Sequence, residues 1–221
     1  MALVYKITEY LFRSRKILLE MLEDRGYDIS EYKNFTKDDI GNMLSDFNKN
    51  KESYELGTLD ILVKNKEKKK IYVKYNLDKF KQSKGITKLI NDIYENVLKN
   101  SDTLIFINSG RILLKNPKDN KIEEYNNINI KKKRFVQFFG IENLLFNISK
   151  HETVPKHIIL SNDEIKNMIK QYNITKEKQI SLIRREDPMA KYIGMRPGNV
   201  CKIIYPSKNS ISLTKYRLCI L

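Results

Sequence analysis

The sequence predicts a protein of the α+β or α/β class in two domains, a larger one with a mixed sheet and helices, then a small α+β one. Three observations support this. The 221 residues exceed the roughly 150 of an average domain. The 41% of hydrophobic residues can fill a core. Helical periodicities alternate with short β-rich runs, and the composition changes near residues 148–155. We therefore divide the chain into residues 1–147 and 148–221.

Two helices open the first domain. Apolar residues recur every three or four positions over residues 1–25, which predicts an amphipathic helix. Gly26 stands where a left-handed residue commonly ends a helix. Thr36 and Asp39 have the spacing of a capping box, which predicts that a second helix covers residues 37–48.

A sheet is predicted to follow these helices. The β-rich runs 56–63 and 71–75 are separated by a lysine-rich segment that is too polar to bury, so they predict a hairpin with a basic tip. A helical pattern at 84–99 precedes the wholly apolar run 103–107, which is typical of a central strand covered on both faces. Further short strands are expected at 111–115, 121–125 and 134–139.

The second domain has clear helix signals. Ser161 and Glu164 form a capping box, whereas Asp187 and Pro188 suit the cap and first position of another helix, which Gly194 ends. A turn at 196–198 leads into a strand at 199–205, and a turn at 206–210 leads into a strand at 212–221. The pattern predicts helices packed on one hairpin, whose two strands are exposed.

The net charge of +15 arises from 42 Lys and Arg against 27 Asp and Glu, and such an excess commonly indicates a nucleic-acid partner. However, 33 of these residues are Lys, and the chain also holds 22 Asn and 29 Ile. All three have AT-rich codons, so genome composition can produce the same excess. Residues 151–221 carry +7, whereas the longer remainder carries +8. The charge alone therefore leaves a functional or a compositional origin open.

No cofactor, metal or small-molecule substrate is expected from the side chains that commonly bind them. His151 and His157 are only two ligands, whereas structural zinc takes four. Cys201 and Cys219 are expected to be buried, reduced fillers of the core. We also expect no secretion signal and no membrane segment, because no run approaches the roughly 20 apolar residues that a membrane helix needs.

Four blocks in the last third carry a family resemblance. They read His-Glu-Thr-Val-Pro-Lys-His at 151–157, Arg-Glu-Asp-Pro-Met-Ala-Lys-Tyr-Ile-Gly at 185–194, Met-Arg-Pro-Gly-Asn-Val-Cys-Lys-Ile-Ile-Tyr-Pro-Ser at 195–207 and Thr-Lys-Tyr-Arg-Leu at 214–218. Their order and spacing resemble subunit 5 of the eukaryotic DNA-directed RNA polymerases and its shorter archaeal counterpart. Among the departures, Tyr205 stands where the family usually has Arg.

The resemblance implies a non-catalytic subunit of a multisubunit RNA polymerase, acting in transcription. The C-terminal assembly domain would dock on the largest subunit, and residues 1–147 would form a nuclease-like jaw domain near downstream DNA. The archaeal counterpart lacks the jaw, which favours the eukaryotic type. Divergence in the jaw and AT-rich usage suggest a large DNA virus or an AT-rich protist. The location would be the nucleus for a cellular source, and the host cytoplasm or virion for a virus.

Two sets of surface residues are candidates for these contacts. The last hairpin and the helix at Asp187 and Pro188 form the expected docking face for the largest subunit. Arg184 and Arg185 are candidates for phosphate binding or for the polymerase interface. The candidates for binding the largest subunit are His151, Pro155, His157, Asp187, Pro188, Arg196, Gly198 and Lys202. The DNA-proximal candidates, which would contact phosphates without reading sequence, are Lys68, Lys69, Lys70, Lys132, Lys133 and Arg134.

A nuclease is the alternative hypothesis. The jaw of subunit 5 is similar in topology to metal-dependent nucleases, which use an Asp and a Glu-x-Lys pair. Asp60 and Lys74 suit two of these positions, and they are expected to be strand residues that face each other across the hairpin. Tyr72 stands where the second acid belongs, and one carboxylate is a poor magnesium site. We therefore expect no catalytic residues, and keep a free-standing nuclease or nuclease-derived DNA-binding protein as the alternative.

Overall fold

The chain forms two units, residues 1–146 and 147–221, and within the described residues each combines helices with a four-stranded sheet. This confirms the α+β class. None of the helices in the described parts has the length and apolar character needed to span a membrane. The computed structural model describes residues 2–47, 57–76, 83–108, 129, 132–205 and 213–221.

The helices of the first unit begin and end close to where the sequence predicts. Those with both ends among the described residues are α1 (Ala2–Asp24), α2 (Lys37–Phe47) and α3 (Ser83–Asn96), with a short 3-10 turn at Ser30–Tyr32. The capping box before α2 is confirmed, because the backbone N–H of Thr36 donates to Asp39 at 2.7 Å and that of Asp39 to the Thr36 hydroxyl at 3.2 Å. Gly26 has φ +81°, as a left-handed terminating residue requires.

The first sheet has the strand order β1-β2-β3-β4, with β1 antiparallel to β2 and the other pairs parallel. All six residues of β3 are buried, which confirms a central strand covered on both faces. Apolar side chains of α3, such as Ile90 and Ile93, pack on one face against Tyr72, Phe106 and Phe138. The strands are β1 (Ile61–Lys64), β2 (Lys70–Asn76), β3 (Thr103–Asn108) and β4 (Phe135–Gly140).

The first strand begins later than predicted, at Ile61 instead of residue 56. Gly57 to Asp60 form a turn, in which the N–H of Asp60 donates to the Gly57 carbonyl at 3.0 Å. The Asp60 carboxylate accepts in return from the N–H of Gly57 at 2.8 Å, a local bond that competes with strand pairing. Asp60 is thus a turn residue and not the strand residue we predicted. The strands expected at 111–115 and 121–125 lie outside the described residues.

The second unit confirms the predicted helix signals. Ser161 and Glu164 form the capping box of α4, the Asp187 side chain caps α5, and Gly194 ends α5 with φ +74°. The helices are α4 (Asn162–Gln171) and α5 (Pro188–Ile193), and short 3-10 turns cover Ile148–Lys150 and Glu177–Gln179. The strands are β5 (Lys156–Ile159), β6 (Ser181–Arg184), β7 (Val200–Tyr205) and β8 (Leu213–Ile220).

The prediction of an exposed two-stranded hairpin is wrong, because the second sheet has the order β5-β7-β8-β6 and the hairpin strands are central. Ala190 of α5 and Met195, just after it, pack on one face, and α4 with Met168 packs on the other. The sequence did not predict β5 and β6 because each has only four residues at an edge, too few to show an alternating pattern.

Candidate functional site

The DNA-proximal candidates converge at the edge of the first sheet where its three parallel strands begin. Lys70 is the first residue of β2, and Arg134 directly precedes β4. Two strand spacings, roughly 10 Å, separate β2 from β4. The fold therefore brings together two basic runs that lie far apart in sequence. We define the basic edge as Lys66, Lys68, Lys69, Lys70, Lys99, Lys132, Lys133 and Arg134.

Most of this basic edge is accessible. Lys68, Lys69, Lys132 and Lys133 are exposed, while Arg134 is half-buried. Lys68 and Lys133 have φ +61° and +56°, which places both at the tips of tight turns. The positive charge at the hairpin tip is partly offset, since Lys69 contacts Glu67 at 2.7 Å. The hydrogen bond from Lys69 lowers the pKa of the Glu67 carboxyl below its usual value.

Arg134 is held by neutral partners that the sequence analysis missed. Its guanidinium stacks over the Tyr94 ring, 4.8 Å from the ring centroid. Nη1 donates to Oδ1 of Asn91 at 2.8 Å, and Nε to Oδ1 of Asn100 at 3.3 Å. Nζ of Lys132 donates to the same Asn91 oxygen at 3.0 Å. These partners come from α3 and the loop after it, so only tertiary structure shows their role.

At the nuclease-like position, the Asp60 carboxylate is the centre of a buried hydrogen-bond network. Its Oδ2 accepts from the N–H of Gly57 at 2.8 Å, from Oη of Tyr72 at 3.0 Å and from Nζ of Lys74 at 2.6 Å. Its Oδ1 accepts from the N–H of Tyr75 at 3.0 Å. The Asp60 side chain is fully buried and that of Lys74 nearly so, which confirms that the two residues are neighbours.

This network suits an internal ion pair better than a metal site. Four donors already occupy the carboxylate of Asp60, and Tyr72 presents a hydroxyl where a second acid would be needed. Burial, followed by the charge of Asp60, raises the pKa of the Tyr72 phenol, so this group remains a proton donor. A Cβ at Gly57 would lie 3.0 Å from the Asp60 carboxylate, so the close approach favours glycine there.

Three partner-binding candidates of the second unit shape its backbone. The Asp187 carboxylate accepts from the N–H groups of Met189 at 2.9 Å and Ala190 at 3.2 Å, and so caps α5. Pro188 occupies the first turn of that helix, where its missing N–H costs nothing. Gly198 has φ +89°, and its N–H donates to the Cys219 carbonyl at 2.9 Å.

The other partner-binding candidates make local contacts around the same sheet. Nδ1 of the exposed His151 lies 2.9 Å from the Thr153 hydroxyl. Nδ1 of the half-buried His157 lies 2.7 Å from the Pro155 carbonyl, an arrangement that requires a proton on that nitrogen. The N–H of Arg196 donates to Oδ1 of Asn199 at 2.7 Å.

The partner-binding candidates do not all share one surface. On β7, Ile203 pairs with His157 and the adjacent Lys202 pairs with Ile158. Successive strand residues point to opposite faces, and directly paired residues share a face. His157 and Lys202 therefore project from opposite faces of the second sheet, and they cannot contact one flat partner together.

The suggestion of Arg185 as a phosphate contact is wrong, because its side chain is buried at 5% relative exposure. Burial lowers the pKa of its guanidinium, and Nε lies 3.5 Å from a carboxylate oxygen of Glu186. Arg184 is exposed. Several exposed apolar side chains of the second unit were not singled out from sequence. They are Tyr172, Leu182, Leu213 and Leu221.

The fold and these sites define a class: a two-domain α+β protein whose candidate residues lie on surfaces and at backbone-shaping positions. The family model for the N-terminal domain of RNA polymerase Rpb5 matches residues 6–93, and that for its C-terminal domain matches residues 146–219. The chain belongs to the RNA polymerase Rpb5 family, and the resemblance to subunit 5 is confirmed.

Two relatives agree with this assignment. The chain is 30% identical over 217 residues to subunit 5B of the DNA-directed RNA polymerases IV and V of Arabidopsis thaliana, which covers 93% of the chain and 88% of the relative. It is 39% identical over 89 residues to subunit rpabc1 of the DNA-directed RNA polymerases I, II, and III of Dictyostelium discoideum. That alignment covers 40% of the chain and 45% of the relative. A viral or protist source stays a prediction.

Proposed function

We propose that this chain is a non-catalytic subunit of a multisubunit DNA-directed RNA polymerase, in which the second unit docks on the largest subunit and the first lies near downstream DNA. The observation that carries the proposal is the pair of Rpb5 family matches, at residues 6–93 and 146–219, in the expected order. The chain would act in the nucleus of a cellular source, or in the host cytoplasm or virion if it is viral. Nucleotide addition and its metal ions would belong to the large subunits.

Two features of the second unit support docking. Asp187, Pro188 and Gly198 fix the helix start and the tight turn beside the sheet, so they would hold a preformed surface. Leu182 is half-exposed on β6, whose outer edge pairs with no other strand among the described residues. A free strand edge with an exposed apolar side chain is a frequent site of protein contact.

The two features of the first unit have different roles in this proposal. The basic edge would contact phosphates of downstream DNA without reading sequence. The buried network at Asp60 would hold the turn at residues 57–60 against β2. The free-standing nuclease is not favoured, because all four contacts of Asp60 are internal donors and the matches are to polymerase subunits.

Co-purification from the native cell tests the docking proposal. The full tagged chain should elute with the largest subunit, in a complex of hundreds of kilodaltons. Lys202→Glu should reduce the recovered largest subunit, because it reverses the charge of a candidate residue for binding that subunit. Lys178→Glu makes the same change at an exposed position on a 3-10 turn and should not. A chain that elutes alone near 26 kDa, or equal recovery with both variants, would contradict the proposal.

A further inference from the structure

We propose that Lys132 and Arg134 form a preorganised phosphate-binding site, built on Asn91, Asn100 and Tyr94, which takes a phosphodiester group of a nucleic acid. The site adds specific residues to the proposed DNA-proximal role of the first unit. It rests on that proposed function only for the presence of DNA, because its own evidence is the local geometry and charge.

Two cations of this site share one neutral acceptor. Nζ of Lys132 and Nη1 of Arg134 both donate to Oδ1 of Asn91, at 3.0 and 2.8 Å. Nζ of Lys132 and Nη1 of Arg134 can therefore lie no farther apart than the sum of these two distances. An amide oxygen carries no net charge, so it fixes the two positive groups side by side without cancelling them. Neither side chain has an ion pair within the described residues.

The guanidinium of Arg134 is held in place while some of its N–H donors have no partner among the described residues. It stacks on Tyr94, whose own hydroxyl donates to the Phe135 carbonyl at 2.9 Å and whose side chain is buried. Its contacts to Asn91 and Asn100 use two of the five N–H donors of an arginine. The remaining donors suit the paired contacts that Arg makes with phosphate oxygens, and little side-chain entropy remains to be lost.

The surroundings favour a nucleic-acid backbone over an acidic peptide. Lys133 is exposed between the two cations in sequence, and the lysines of the hairpin tip lie at the same sheet edge. Duplex DNA carries about one negative charge per 1.7 Å of its axis, so a row of cations at one edge can meet several phosphates at once. Such contacts are independent of sequence, which fits a surface beside DNA that moves past it.

Binding of the full-length chain to a fluorescent random-sequence duplex of about 30 base pairs, followed by anisotropy at several KCl concentrations, tests the site. Arg134→Gln should weaken binding by about tenfold at low salt and lower the slope of log K against log salt by about 1. Lys132→Gln should have a similar effect. Lys16→Gln removes the same charge from the exposed face of α1 and should leave the slope nearly unchanged.

Asn91→Asp separates a phosphate site from a purely structural role. The carboxylate would keep both hydrogen bonds but would place one negative charge beside the two cations and offset half of their charge, so duplex binding should fall at least as far as in Arg134→Gln. The melting temperature should stay the same or rise, because a charged acceptor strengthens the contacts. A structural role alone predicts no loss of binding in this variant.

The outcomes separate this inference from the proposed function. Duplex binding that is absent in the wild type, or equal in Asn91→Asp and Lys16→Gln, would overturn the site even if the chain co-purifies with polymerase. Loss of binding in Asn91→Asp would support the site even if co-purification fails. Polyglutamate of matched charge is the second probe. If the site variants lose binding to polyglutamate but keep binding to the duplex, the assignment of the site to a nucleic acid is overturned.

Discussion

The buried pair of Asp60 and Lys74 makes a measurable prediction. Lys74→Met keeps most of the side-chain volume but removes the ammonium that lies 2.6 Å from the carboxylate. Breaking a buried ion pair costs about 3–5 kcal/mol, because one charge is left without its partner. Asp60 keeps three donors, from Gly57, Tyr72 and Tyr75, which offset part of this cost. We expect the free energy of opening the first unit to fall by about 3 kcal/mol.

Amide hydrogen exchange at Tyr75 is the suitable assay, because its N–H donates to Asp60 and reports only the first unit. A loss of about 3 kcal/mol corresponds to roughly 100-fold faster exchange. The control is Lys64→Met, which makes the same substitution at an exposed position on β1. The double change Asp60→Asn with Lys74→Met should recover part of the loss, since no charge remains buried. Exchange that accelerates less than threefold in Lys74→Met, or additive effects in the double variant, would refute the reasoning.

Three further predictions concern individual positions. Ser161→Ala should cost about 1 kcal/mol, because it removes the cap of α4. Hydrogen bonds from Ser161 lower the pKa of the Glu164 carboxyl in the folded protein. The stability that this capping box contributes should therefore be present above the ordinary pKa of Glu and lost as the pH falls through the lowered pKa of the folded state. Measurement of the free energy of unfolding across an acid titration checks this. Burial raises the pKa of Cys219 to about 11, so a thiol reagent at pH 8 should label it only on unfolding, and rapid native labelling would contradict this. Gly198→Ala should destabilise by about 1 kcal/mol because φ is positive, whereas Gly41→Ala within α2 should stabilise, and urea midpoints distinguish the two.

Local signals in the sequence predict local structure well. Thr36 and Asp39, or Ser161 and Glu164, lie three residues apart, so their capping interactions depend on one short stretch of chain. The apolar run of β3 similarly reflects burial on both faces. The contact of Asp60 with Lys74 was likewise predicted, because a hairpin brings these positions together, whereas the burial of both side chains is a finding of the structure.

Features that depend on distant residues were not predictable. β6 becomes a strand only because it pairs with β8, which lies more than thirty residues further along. Arg185 resembles any surface arginine in sequence, yet the fold buries it. Asn91 belongs to no motif, and it accepts hydrogen bonds from Lys132 and Arg134, which lie in the loop before β4. In each case the deciding contact joins residues whose separation the sequence pattern does not constrain.

The four donors around Asp60 also limit which amino-acid substitutions can be accepted around it during evolution. A single Tyr72→Glu substitution would supply the second acid of a metal-binding pair, but it would remove one donor and bury a second negative charge beside Asp60. Two adjacent buried carboxylates with one lysine repel each other, so that intermediate would be poorly folded. Substitution at Lys74 leaves an imbalance of the same sign, because the buried Asp60 carboxylate then has no cationic partner. A second metal-binding acid at this position would therefore require an unstable intermediate, so the buried network restricts which substitutions Tyr72 and Lys74 can accept.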